Sequence, residues 1–285
     1  MSEFLEISRA AIEALARGET VCLATVVRVR GSAPRHMSAR MLIWPDGKTF
    51  GTIGGGTLEH RVIGDARAAL ADSLPLLKNY LFDTRGGPES VGLCGGSVDI
   101  HMDVLWPDPT LLIIGAGNIA QPLAKMAASL AMRVIVVDNR LEWANRERFP
   151  HAADVFLVDY EEDTEILAPI PEPITPFTYV VITTQGYDLP ALEQALAGTP
   201  AFVGLVASPA KFRELSKKLL KKGVVDESLQ RIHTPVGLDI GAETPAEVAL
   251  SILAEVLAVQ RGGSGLPLRE KNGKILEKAL VQDVE

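Results

Sequence analysis

LLIIGAGNIAQPLAKMAASLAMRVIVVD, residues 111 to 138, decides the fold of this chain. Leu111-Leu112-Ile113-Ile114 is a continuous apolar run, the pattern of a strand covered on both faces in a parallel sheet. It leads into Gly115-Ala116-Gly117-Asn118-Ile119-Ala120, then helix-forming residues to about Leu130, then a β-branched run that ends at Asp138. A strand, a G-x-G-x-x-A turn, a helix and a second strand ending in an acid make a dinucleotide-binding βαβ unit. Gly115 and Gly117 permit the turn and a close approach of ligand to backbone, and Ala120 lets the helix pack on the sheet. Asp138 is positioned to accept hydrogen bonds from ribose hydroxyls. Arg140, two residues on, leaves a ribose 2′-phosphate open as the alternative.

The α/β pattern continues to the C-terminal side. Strands are expected over 154–158, 179–184 and 201–206, and helices over 189–197, 209–222 and 245–260. Gln185 follows the end of a central strand, where doubly wound folds bind ligands. Thr244, Pro245 and Glu247 form a capping-box signature for the last helix. His233 and Asp239, in HTPVGLDIG, are expected on a loop toward the same crevice. The apolar stripe of Val248, Ile252, Leu253 and Val256 reads as core or dimer interface.

Trp106-Pro107-Asp108-Pro109 breaks the composition and reads as a linker. The part before it is different. Phe4, Leu5, Ala11, Ile12 and Leu15 recur near a helical period over 2–17, and TVCLATVVRV (20–29) alternates as a strand. GSAPRHMSARM (31–41) is a loop with Ser32 and Ser38 hydroxyls and the guanidinium forks of Arg35 and Arg40. A hairpin over 40–53, turned at Trp44-Pro45-Asp46-Gly47, delivers the chain to Gly54-Gly55-Gly56 and a helix from about Thr57 to Leu70. Three glycines ahead of a helix offer backbone N–H groups and a dipole end suited to a phosphate or carboxylate. Glu59, in the first helical turn, opposes such an anion, or holds Arg35 or Arg40, or moves a proton. Residues 72–92 read as irregular. LCGGSVDIHMDVL (93–105) then opens with Cys94 before Gly95-Gly96, a setting that favours a reactive thiol. Cys22, inside a strand, reads as a small core residue.

The fold class that follows is α/β: an α+β N-terminal domain (1–107), a Rossmann-like doubly wound parallel-sheet domain (108–261) and a mobile tail (262–285). Two cysteines in 285 residues make no disulfide framework, and no apolar run is long enough to span a membrane or to serve as a signal peptide. A cytoplasmic protein is expected. Its net charge of −8 argues against a general nucleic-acid binder.

GSAPR (31–35), GTIGGGTLE (51–59), LCGG (93–96), GAGNIA with VVDNR (136–140), ASPAKF (207–212) and TPVGLDIGAETPAEVALSILAE (234–255) occur in one order. In this the chain resembles the XdhC/CoxF family, the maturation factors of xanthine and carbon-monoxide dehydrogenases. The resemblance implies a chaperone of molybdenum cofactor (molybdopterin) that protects the sulfurated form and delivers it to an apo-xanthine dehydrogenase-type molybdenum protein. It also implies a homodimer and contact with a cysteine desulfurase. Asn118 and Gln185 stand where the family commonly has histidine, and Ser38 replaces a frequent glycine. Within that reading the cofactor's phosphate is expected at Gly54–Gly56 with Ser32 and Arg35, and its metal or sulfur end at Cys94, beside Gly95 and Gly96. Gly115, Gly117, Asp138, Gln185, His233 and Asp239 are expected to bind a second ligand, NAD(P). A complete dehydrogenase is not expected, because two cysteines cannot ligate an iron–sulfur cluster of the four-thiolate kind, and a chaperone is favoured over a catalyst. The competing expectation is an NAD(P)-dependent oxidoreductase.

Overall fold

The computed structural model describes residues 3–31, 37–83, 90–92 and 95–271. The chain divides into two compact units, Met1–Pro107 and Asp108–Glu285.

The first unit holds α1 (Glu3–Ala16), β1 (Val21–Arg30), β2 (Arg40–Ile43), β3 (Thr49–Gly51), α2 (Gly56–Asp72), β4 (Leu76–Leu81) and β5 (Ser97–Leu105). The five strands form one antiparallel sheet in the order β3-β2-β1-β5-β4. Alternation sets which side chains go to which face. Cys22, Ala24 and Val26 of β1 join Val98, Ile100, Met102 and Val104 of β5 under α2. Val21, Leu23 and Leu105 turn to the opposite face, where α1 lies on the β1–β2 side.

Two expectations fail in this unit. Residues 76–81 form a strand, not irregular chain: LLKNYL pairs with β5 from Leu76↔Met102 to Leu81↔Ser97. As the edge strand it needs few buried side chains, so its polar Lys78 and Asn79 hid it. The buried stripe of α1 is Ile7, Ala11 and Ala14, whereas Phe4, Leu5 and Ile12 are exposed. Small residues win the inward face because the helix lies close to the sheet. A Cβ on Gly51 would fall 2.7 Å from Ile7 Cδ1.

The second unit runs β6 (Thr110–Ile114), α3 (Ala120–Ser129), β7 (Arg133–Asp138), β8 (Asp154–Leu157), β9 (Tyr160–Glu161), β10 (Ile166–Leu167), β11 (Thr178–Ile182), α4 (Asp188–Ala197), β12 (Phe202–Leu205), α5 (Pro209–Lys221), α6 (Asp226–Gln230), β13 (Ile232–His233), α7 (Pro245–Arg261) and α8 (Leu268–Lys271). Six strands pair in parallel in the order β13-β12-β11-β6-β7-β8. Counted along this sheet, that is the 3-2-1-4-5-6 order of a dinucleotide-binding fold, with its switch point between β6 and β11. Every residue of β6 and β11 is buried, as two covered faces require. α3 and α7 cover one face and α4 with α5 the other. The capping box of α7 is present, with the Thr244 hydroxyl accepting from Glu247 N–H. Of the tail expected to be mobile, 262–271 is described and ends in α8, and the remainder lies outside the described residues.

Candidate functional site

The Gly54–Gly56 turn is built as expected, and the N–H groups of Gly54 and Gly55 are already engaged. Gly55 has φ +78° and ψ 179°, a region reserved to glycine. One Glu59 carboxylate oxygen accepts from Gly55 N (2.9 Å), Ile53 N (3.1 Å) and the Thr52 hydroxyl (2.5 Å). Thr52 in turn accepts from Gly54 N at 3.3 Å. Burial pushes the Glu59 carboxyl up, but these donors outweigh it and hold it below its ordinary value. The anion in this nest is therefore the chain's own. That revises the expectation that the glycines wait open for a phosphate. Glu59 lies four residues after the N-cap Gly55, one position beyond the acid of a capping box, and folds back on the loop in the same way.

The sheet gathers the other motifs of this unit at one end. The β1–β5 register ends at Arg30↔Ser97, and β4 ends opposite Ser97 through Leu81. Gly31 follows Arg30, and Gly95-Gly96 precede Ser97. Their backbones touch so closely that a Cβ on Gly31 would meet Gly95 O at 3.0 Å. The exit of β3 lies toward the same end, since Met41 pairs with Gly51 and Arg40 with Thr25. A cavity of about 470 Å³ is lined there by Arg30, Gly31, Phe82, Asp83, Gly95 and Gly96. Ser32, Arg35 and Cys94 lie outside the described residues, so the expectations placed on their side chains are not met or refused by the structure. Cys22 is fully buried, and burial pushes its thiol up to about 12, as a core role requires.

In the second unit the crevice forms at the switch point. Gly115, at φ +104°, sits so close to the β11 exit that a Cβ would lie 2.7 Å from the Thr183 carbonyl carbon. The Thr183 hydroxyl donates to Gly115 O at 2.7 Å. α3 has no side-chain cap at its N-terminus. A cavity of about 330 Å³ opens beside it, lined by Gly117, Asn118, Arg140, Trp143, Thr183 and Gln185 among others. Asp138 is completely buried. It accepts from Ala116 N (2.6 Å) and from Arg140 N, Nε and Nη2 (2.8–2.9 Å). Burial alone would raise this carboxyl, but Arg140 and the Ala116 N–H hold it below its ordinary value. The expectation that Asp138 presents free oxygens to a ribose is corrected: in this structure they are spent on the glycine turn and on Arg140.

His233 and Asp239 are not brought to this cavity. His233 is on β13 at the sheet edge, with β12 and β11 between it and β6. Its Nδ1 pairs with Glu255 Oε1 at 2.7 Å, its ring lies against Phe202, and Glu255 also accepts from Gly237 N at 2.6 Å. Asp239 is exposed. Thr52, Trp143 and Glu255 were missed as site residues. Thr52 lies within the quoted motif, one residue after Gly51, where a hydroxyl beside a glycine turn is a readable signal. Nothing local marks Trp143 or Glu255. Among the described residues, no three His, Cys, Asp or Glu side chains converge on a metal position, and no helix is long and apolar enough to cross a membrane.

Comparison with known proteins matches residues 111–256 to the XdhC Rossmann domain and residues 14–80 to the XdhC and CoxI family. YqeB of Escherichia coli K12 is 38% identical over 245 residues, covering 85% of this chain but 44% of that protein, so the chain spans under half of that relative's length. A probable xanthine dehydrogenase component of Bacillus subtilis 168 is 24% identical over 85% of this chain and 94% of its own. The molybdenum cofactor insertion chaperone PaoD of E. coli K12 is 24% identical over 89% and 88%. A solved structure titled as a xanthine dehydrogenase from Bacillus halodurans aligns over 92% of this chain and 96% of its own, at 19% identity and a TM-score of 0.46.

Proposed function

We propose that this chain, which belongs to the XdhC and CoxI family, is a maturation factor for a molybdenum hydroxylase. It receives molybdenum cofactor as cargo, shields the sulfurated form and passes it to the apo-enzyme. The observation that carries this reading is the near end-to-end likeness to PaoD, a named molybdenum cofactor insertion chaperone. The first unit supports it chemically. Gly31 and Gly95-Gly96, from two separate motifs, meet at one end of its sheet beside a cavity that Arg30, Leu81, Phe82, Asp83 and Ser97 also line. The glycine backbone in that lining offers a flat, polar pterin donors and acceptors without bulk.

Within that reading Cys94 is the soft ligand for the sulfur or metal end of the cargo, and Ser32 and Arg35 are its anion partners. Glu59, bound in its own nest, sets the shape of the adjoining turn. A homodimer, a cysteine desulfurase partner and a cytoplasmic setting belong to the same proposal. An NAD(P)-dependent oxidoreductase is the weaker reading, since among the described residues no side chain of the second-unit cavity forms a proton-transfer pair with a neighbour there.

The test is transfer. Purified chain is loaded with molybdenum cofactor, then mixed with a cofactor-free molybdenum hydroxylase, and activity gained is compared with that from free cofactor. Faster or more complete activation is expected, with retention lost in Cys94→Ala. Equal activation with and without the chain, together with no pterin absorbance on the chain after gel filtration, overturns the proposal.

A further inference from the structure

The crevice of the second unit has a charge arrangement that the cargo does not explain. Asp138 terminates β7 where a dinucleotide-binding acid accepts the two ribose hydroxyls of adenosine. A carboxylate has about four acceptor positions. All four are filled here: Oδ2 by Ala116 N and Arg140 Nη2, Oδ1 by Arg140 N and Nε. The side chain is fully buried, so a ribose diol finds no acceptor without displacing Arg140.

Arg140 keeps donors in reserve. Its Nε and one Nη2 proton hold Asp138, while Nη1 makes no hydrogen bond among the described residues and the residue lines the cavity. The guanidinium carbon lies 4.6 Å from the centre of the Trp143 ring, which fixes the plane of the fork. Arg148 lies over the same ring at 4.3 Å. Glu142 is the other acidic residue felt by Arg140, and it is exposed. Among the described residues Arg140 is the charged side chain that lines this cavity, whereas Arg148 lines a separate one with Glu147. A planar fork with free N–H groups is the geometry that matches phosphate oxygens.

We propose that the crevice between Gly115–Gly117 and the end of β7 binds an adenosine nucleotide bearing a 2′-phosphate, of the NADP(H) class, and that Arg140 selects it over the unphosphorylated form. The glycine turn and the uncapped start of α3 take the pyrophosphate. Arg140 Nη1 takes the 2′-phosphate. Asp138 is a positioning residue: it orients the fork and ties the glycine turn to β7 through Ala116 N. This site is separate from the cargo site and does not depend on it.

Calorimetry on the full chain at 100 mM salt tests it with NADPH, NADH, 2′,5′-ADP and 5′-ADP. The 2′-phosphorylated member of each pair is expected to bind at least tenfold more tightly, with a preference that shrinks as salt rises. Equal affinity within a pair, tighter binding of the unphosphorylated member, or no binding of any of the four at millimolar concentration overturns the proposal. Asp138→Asn combined with Arg140→Ala removes both charges together and avoids a stranded buried carboxylate. If its circular dichroism matches the parent, it is expected to bring the ratio within threefold of unity. A folded double variant that keeps the full preference overturns the role of Arg140. Should it fail to fold, the parent's ratios decide the proposal.

Discussion

Each unit has a glycine-rich turn ahead of a helix, and each turn is tied down by a carboxylate. The resemblance ends there. In the first unit Glu59 comes from the helix that the turn itself starts, is half-buried, and is held by Thr52 and backbone N–H groups, with no cation on it among the described residues. In the second, Asp138 comes from the next strand, is fully buried, and is neutralised by Arg140. One carboxylate closes a local loop, and the other joins two strands of a core. Similar glycine patterns therefore serve different ends, according to how far in the sequence the acid lies and how much water reaches it.

Substituting the glycines should separate the two turns most widely. In Gly115→Ala, positive φ and a Cβ 2.7 Å from backbone act together. We expect a loss of about 4 kcal/mol, combining strain and overpacking. Gly55→Ala has the same problem of φ but open space around the Cβ, so about 1–2 kcal/mol is expected from strain alone. Urea unfolding of both variants checks this, and equal losses would erase the distinction drawn between the turns.

Removing the cation comes next. Arg140→Ala strands a buried carboxylate, and about 3 kcal/mol is expected, at the low end for a broken buried pair because Arg140 is one-third exposed and two backbone donors remain. A loss below about 1 kcal/mol would mean that Asp138 relaxes to water. Glu59→Gln keeps an acceptor in place and should cost only about 1 kcal/mol.

Acid should act on both turns in sequence. Both carboxyls are held below their ordinary values, 4.5 for Glu59 and 3.8 for Asp138. A depressed folded value means the stabilisation is complete above the ordinary value and is lost as pH falls below it. The urea midpoint is thus expected to be flat from pH 7 to 5 and to fall below 4.5, with the first part of the fall missing in Glu59→Gln. An unchanged curve in that variant would remove Glu59 from the account.

The smallest effect concerns Cys22. With its thiol pushed up to about 12, a thiolate fraction of about 10⁻⁴ is expected at pH 8. Iodoacetamide labelling of the native chain should proceed at the same rate in Cys22→Ala as in the parent. A slower rate in the variant would show that the first-unit core opens.

Much of this was legible beforehand. The Rossmann βαβ unit, the capping box of α7, the hairpin turn at Trp44–Gly47 and the core place of Cys22 are local or periodic signals, so residues near one another in sequence are enough to read them. β4 was not, because an edge strand has weak alternation and its identity comes from pairing with β5. The inward face of α1 was misread for a related reason. Hydrophobicity nominated Ala11 and Leu15, which do pack toward the sheet, but also Phe4, Leu5 and Ile12, which are exposed, while Ile7 and Ala14 take the rest of the inward face.

The sequence alone determined the long helices and the core strands, that the second unit has a parallel sheet, and where glycine must stand, because these depend on short-range sterics and on the period of apolar residues. Only the tertiary structure decided what the polar groups do. That Glu59 fills the Gly55 nest, that Arg140 saturates Asp138, that His233 turns to Glu255 and that Gly31 meets Gly95 are matters of which partners arrive within hydrogen-bonding or contact distance. A carboxylate or an N–H bonds whichever partner the fold delivers, and delivery from far along the chain is set by strand register and packing, not by neighbours in the sequence.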